Sequence, residues 1–225
     1  QYLAVGALSP RLIVERVNSQ QDCSWLASHM SMRDFFLYTC LASGIAYYSL
    51  KGIPITNKNT TEWRTINYES DFLCWAKGKT GFPLVDAAMR ELMQTGYCSN
   101  RVRQNAASFL TKDLQIDWRM GAKWFQFLLA DHCVGANWGN WLYFSGVGPD
   151  PKQRHFRSVS QALRYDPKGS YVRKWVPELS SLDGDEAHLR PWDYSAEDFQ
   201  TLVPPTAQYT WVDLKGWKKV ASCLL

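Results

Sequence analysis

The stretch TGFPLVDAAMRELMQTGYCSNRVRQNAASFL, residues 80–110, decides the fold class. From Pro83 to Thr95 it sets Leu84, Ala87, Ala88, Leu92 and Met93 on one helical stripe, and Gly96 stands where that helix must stop. Asn100 to Leu114 continues at the same period, followed by DLQIDWRMGAKW (113–124) and ADHCVGANWGNW (130–141). In these segments Asn100, Arg103, Asp131 and Asn137 sit beside Trp118, Trp138 and Trp141. A helix that only closes a core carries an apolar stripe and a solvated face. Polar groups placed among indoles point to a bound planar cofactor, and the indoles to a route for electrons.

Outward from this stretch the helical period persists. Ser9–Pro10 reads as a helix start, with Ser9 as N-cap and Pro10 at the first position. Ser24 to Ala42 reads as a long helix. Thr61 to Trp75 is expected to be a helix capped by Thr60 or Thr61, with Glu62 in its first turn. Gly121–Asp131, Asn137–Tyr143, Ser158–Leu163 and Ser170–Leu179 are expected helices. No period-two pattern competes, so the class is all-α. Residues 1–180 form the helical domain in this reading, and residues 181–225, rich in Pro, Asp and Gly, an irregular tail.

Composition narrows the function classes. Hydrophobic residues make up 46 % of the 225, ample for a sizeable core. A net charge of +4 allows a nucleic-acid face without demanding one. Six cysteines without a C-x-x-C pair argue against a zinc ribbon and fit reduced thiols in an intracellular compartment. Four scattered histidines argue against a metal site, and no apolar run is long enough to span a bilayer.

Arg103 follows Asn100 by three residues, so both lie on one helix face. A buried Arg needs an acid, for which Asp113 and Asp131 are the candidates. Asn137 and Trp141 lie four apart in a Gly-rich segment, where Gly135 and Gly139 would let the backbone approach a flat ligand. An Asn amide can donate to or accept from a ring nitrogen, which is what flavin N5 needs as it gains and loses a proton.

These residues carry a family resemblance. WAKGKTGFPLVDAAMRELMQTGYCSNRVRQNAASFL, then IDWR, then GNW, resembles the C-terminal FAD-binding domain of the photolyase/cryptochrome family over about residues 2–180. GVGPDPKQRHF and YDPKGSYVRKWVPEL resemble its cryptochrome DASH branch most, and Gln104 and Tyr143 fit that branch. The resemblance implies that Arg103 and Asp131 pair on the flavin ring, that Asn137 faces N5, and that Arg33 and Cys133 belong to the cofactor site. It implies electron transfer through Trp141 and Trp118 to a distal Trp63, or to Trp75. Asn100, Gln104 and Tyr143 would line the mouth that admits a flipped pyrimidine dimer, and Arg101 and Arg157 would contact DNA phosphates. The implied activity is of deoxyribodipyrimidine photo-lyase type: an electron from light-excited reduced FAD splits the dimer and returns. Gln104 and Tyr143 offer less apolar surface than the Met and Trp of many relatives, which favours single-stranded DNA over extrusion from a duplex. A monomer is expected.

Three departures stand against that pattern. Where many dimer-repairing members read Glu-x-x-Trp-Arg, this chain reads His29–Met30–Ser31–Met32–Arg33. Cys133 stands where many have a second Asp. The family's phosphate-wrapping loop and its antenna domain, with a folate-type chromophore, would precede Gln1, so the chain is expected to be a piece of a longer polypeptide. His29 and Met32 favour a second reading, a blue-light photoreceptor that signals to a partner protein without repair.

Overall fold

The computed structural model describes residues 1–18, 23–53, 62–149, 154–181 and 188–191, and among these the regular structure is helical. The elements are α1 (Pro10–Asn18), α2 (Ser24–Ser43), α3 (Glu69–Ala76), α4 (Pro83–Thr95), α5 (Asn100–Ser108), α6 (Trp118–Leu128), α7 (Val134–Ser145), α8 (Ser158–Tyr165) and α9 (Ser170–Trp175). Short 3-10 turns span Gly44–Tyr48 and Pro177–Ser181, and a π-helical turn, Phe109–Asp113, continues α5. The chain divides into two compact units, one made of residues 1–59 and 118–153, the other of residues 60–117 and 154–225.

In the first unit α2 packs on α1 and α7, and α7 on α6. The α2–α7 contact is made by glycine. A Cβ on Gly139 would lie 2.3 Å from the Phe36 ring and 2.3 Å from the Tyr47 hydroxyl, and one on Gly135 would lie 3.1 Å from Leu37 Cα. Fully buried Tyr47 fixes the approach by donating its hydroxyl to the Gly135 carbonyl at 2.8 Å. Burial pushes the Tyr47 phenol well above the usual range, so it remains a donor. The expectation that Gly135 and Gly139 make room for a ligand is therefore corrected, because their bare faces are filled by α2 and the turn after it.

In the second unit α4 is buried along most of its length through Leu84, Val85, Ala87, Ala88, Met89 and Leu92. It packs on α3, α5, α8 and α9. Gly96 ends it in the left-handed region at φ 69°, its N–H on the Leu92 carbonyl at 2.9 Å, as the sequence predicts. The Thr80–Gly81 turn is closed by one carboxylate. Asp86 accepts from the Thr80 N–H at 2.7 Å, the Thr80 hydroxyl at 2.6 Å and the Gly81 N–H at 2.9 Å. Burial still raises Asp86 to about 6, although those bonds and Arg90 pull the other way.

The helix expected over 61–75 begins at Glu69 instead. Asn67 adopts φ 54°, a left-handed conformation that Asn tolerates and a helix cannot contain. Arg64, expected inside the helix, reaches Asp71 at 2.7 Å and the Asn67 carbonyl. The Thr60 and Thr61 caps lie outside the described residues. Helices α6 and α7 start three residues earlier than the pattern suggests. Of the tail, His188 and Leu189 are buried, His188 against Gly169, and the remainder beyond Ser181 lies outside the described residues apart from Arg190 and Pro191. No helix among the described residues is long and apolar enough to cross a membrane.

Candidate functional site

In the first unit the site residues lie on α2, α6 and α7. Asn137 is buried on α7, and its Nδ2 donates to the Ala122 carbonyl of α6 at 3.0 Å. A carbonyl only accepts, so this bond fixes which way the amide faces. Asn137 Oδ1 makes no bond among the described residues and is left as an acceptor, the group that suits an N–H on a ring nitrogen. Cys133 is half-buried just before α7, makes no side-chain cap and is a free thiol. Between it and Asp131 lies His132, whose two ring nitrogens are sealed from solvent without a hydrogen-bond partner among the described residues. Burial lowers the His132 pKa, while the Asp131 charge draws it back up.

Trp118, Trp138, Trp141 and Phe125 of this unit are buried, and their rings touch in pairs. Trp141 meets Phe125 edge to face at 5.1 Å between ring centroids. Fully buried Trp118 donates its indole N–H to the Leu50 carbonyl at 3.3 Å and meets Trp138 at 5.5 Å. Tyr143 packs on Phe144. On α2, Arg33 pairs with its neighbour Asp34 at 3.2 Å on the surface, an arrangement worth little that leaves the guanidinium free to be recruited. Exposed His29 uses Nδ1 on the Trp25 carbonyl at 2.7 Å, so Nδ1 carries the proton and Nε2 points away as the second polar atom.

In the second unit α5 gathers the expected substrate-facing group. Arg101 donates to Gln104 at 2.9 Å, and Gln104 to Asn100 at 3.4 Å. The Arg101 guanidinium stands 4.6 Å over the Tyr165 ring, a contact 64 residues distant that spacing could not show. Arg103 donates Nε to the Cys98 carbonyl at 2.7 Å and leans on Tyr97. Asp113, one of the two acids considered for Arg103, is instead held by His155 through both oxygens at 3.1 Å. Burial raises Asp113, and His155 and Arg157 lower it. Arg157 is exposed at the start of α8. Arg103 and Asp131 fall in different units, as do Trp118 and Trp63.

Trp75 is wholly buried and donates to the Ala106 carbonyl at 3.0 Å, whereas Trp63 is half-buried. Only Trp63 of the pair has the solvent edge that an exit needs. Among the described residues no group of acids, histidines and cysteines could hold a metal ion.

The chain resembles proteins of known kind over most of its length. It is 44 % identical over 205 residues to Cryptochrome DASH of Xenopus laevis, covering 86 % of this chain and 38 % of that protein. With Cryptochrome DASH of Synechocystis sp. it shares 44 % identity over 88 % of this chain and 41 % of the relative. Among solved structures, the Synechocystis sp. cryptochrome superposes with a TM-score of 0.80 at 42 % identity, over 89 % of this chain and 42 % of that one. The class III photolyase of Agrobacterium tumefaciens superposes with a TM-score of 0.76 at 32 % identity, over 89 % of this chain and 42 % of that one. The chain thus spans about two fifths of the relatives it matches. Residues 25–221 match the family described as the FAD binding domain of DNA photolyase, and the chain belongs to that family.

Proposed function

We propose that this chain is the flavin-binding part of a blue-light-dependent enzyme that splits cyclobutane pyrimidine dimers in single-stranded DNA. The observation that carries the flavin half is Asn137, pinned by Ala122 with its oxygen free. That oxygen would accept a hydrogen bond from a protonated N5, Asp131, Arg33 and Cys133 of the same unit would hold the ring system, and Trp141 and Trp118 would pass electrons to it. When bound, FAD supplies light-driven one-electron chemistry. The protein's part is to orient the ring, exclude water and set the charge around it. Any antenna chromophore would belong to sequence outside this chain.

The DNA half rests on α5. Arg101 is held between Gln104 and the Tyr165 ring, so a planar, charged donor is arranged before any strand arrives. With Asn100 and Arg157 it forms a set suited to phosphates and to the polar edges of an extruded base pair. Blue light should remove dimers from single-stranded DNA mixed with the full-length, FAD-loaded protein. No dimer loss with reduced flavin present rejects repair.

His29 favours the second reading, a photoreceptor without repair. Its Nδ1 is tied back to the Trp25 carbonyl, and it stands where dimer-repairing relatives carry a carboxylate. In either reading Trp118→Phe should slow flavin photoreduction, and an unchanged rate removes Trp118 from the route. Asn137→Asp should alter the light-induced flavin spectrum, and an identical spectrum removes Asn137 from N5.

A further inference from the structure

Within the first unit the electron route through Trp141 and Trp118 meets a problem of burial. Trp118 is 0 % exposed. An electron vacancy on its indole has no contact with water, and an external reductant cannot reach it. The rings around Trp118 continue, however. Trp138 meets it edge-on, centroids 5.5 Å apart at 83°. Tyr48 in turn meets Trp138, at 5.0 Å and 77°. The Tyr48 oxygen lies 3.3 Å from Cys40 Sγ, and both residues are half-buried. Thus an unbroken line of oxidisable side chains leads from a sealed indole to a phenol and thiol at the surface.

We propose that Trp138 and Tyr48 form a branch of the electron route that ends at the Tyr48–Cys40 pair. The branch rests on the flavin reading above. The oxidant is a light-excited oxidised isoalloxazine, which gains one electron. That electron leaves Trp118, Trp118 is refilled from Trp138, and Trp138 from Tyr48. The Trp138 N–H donates to Gln126 Oε1 at 2.9 Å. An amide oxygen is not a base at ordinary pH, so oxidised Trp138 keeps its proton and remains a strong acceptor for the Tyr48 electron. Burial and Cys40 hold the Tyr48 phenol protonated. Its oxidation therefore releases the phenolic proton to water at the half-exposed edge and leaves a neutral tyrosyl radical. The charges balance as one electron on the flavin, one proton in solvent and one radical on Tyr48. The thiol can then donate its S–H to the phenoxyl oxygen as a hydrogen bond.

The test is electron paramagnetic resonance with transient absorption on the full-length, FAD-loaded protein under blue light. Wild type should give a tyrosyl signal that changes shape when tyrosine is ring-deuterated. Tyr48→Phe keeps the ring and removes only the hydroxyl; it should abolish that signal and leave a tryptophanyl radical. Trp138→Phe should lower the tyrosyl yield at least several-fold, and Cys40→Ala should shift the radical's g value by removing the neighbouring S–H. A tyrosyl radical that persists in Tyr48→Phe, or a yield unchanged in Trp138→Phe, overturns the branch. Tryptophanyl radicals alone in wild type overturn the branch and leave the flavin reading standing. No photoreduction at all overturns both.

Discussion

Gly139→Ala separates two uses of a bare backbone on α7. If Gly139 gave way to a ligand, alanine would harm only flavin binding, and the flavin-free protein would gain helix propensity of about 1 kcal/mol. The structure requires the opposite. The new Cβ would lie 2.3 Å from the Phe36 ring and 2.3 Å from the Tyr47 hydroxyl. Overpacking of this kind costs about 1–3 kcal/mol. Displacing Tyr47 also breaks its bond to the Gly135 carbonyl, and an orphaned buried polar group costs about 1–3 kcal/mol more. After the propensity gain the net loss is about 3 kcal/mol, which for a chain of this size lowers Tm by about 6–12 °C. The assay is thermal unfolding of wild type and variant, both stripped of flavin, followed by circular dichroism. A variant as stable as wild type, or more stable, refutes the helix-packing account and restores the ligand-facing one.

Other perturbations test separate parts of the molecule. Trp75→Phe removes the donor to the Ala106 carbonyl and should cost about 1–2 kcal/mol in urea unfolding while leaving the flavin photoreduction rate unchanged; a slowed rate would restore Trp75 to the electron route. Arg90 binds Glu178 at 2.7 Å; burial would raise that carboxyl, but the bond and charge of Arg90 hold it below its ordinary range. Its stabilisation is then present above the unfolded value of about 4.3 and is lost as pH falls through the folded one. The stability gap between wild type and Glu178→Gln, about 1 kcal/mol after solvent screening, should close on acidification, and a gap unchanged by acid refutes the pairing. His132 behaves in the opposite chemical sense, since burial favours its neutral form. Its contribution is complete above about 6.5 and declines as pH falls below that, so the urea midpoint should drop between pH values of about 7.5 and 5.5 and the drop should be smaller in His132→Phe. An equal drop in both proteins removes His132 as the cause.

The helical class was legible because long segments keep one period. Pro83 and Gly96 bracket α4 with opposite backbone preferences, and both act as expected. The segment before Glu69 misled because a residue count cannot show that Asn67 turns left-handed and sends Arg64 back to Asp71. In the candidate site, Asn137 is buried among aromatic residues, as its sequence neighbours Trp138 and Trp141 led one to expect. Asn100, by contrast, is exposed and Arg101 and Gln104 are half-buried, so pattern alone did not set the α5 group apart from an ordinary polar face. The glycines were visible but not their purpose, since a bare backbone reads alike whether a ligand or a helix fills it. Partners far along the chain left no signal: His155 takes Asp113 across 42 residues, and Tyr48 reaches Trp138 across 90.

Each compact unit is built from two separated stretches of chain, with residues 60–117 lying between the halves of the first. On a ribosome this imposes a waiting time. Helix α2 is complete at Ser43, but α7, whose glycines cover Phe36, begins only at Val134. At synthesis rates of about 5–20 residues per second, α2 waits roughly 5–20 s for that cover. A single cut anywhere in residues 60–117 would divide the sequence of both units at once, since it parts 1–59 from 118–153 as well as the second unit's own two stretches.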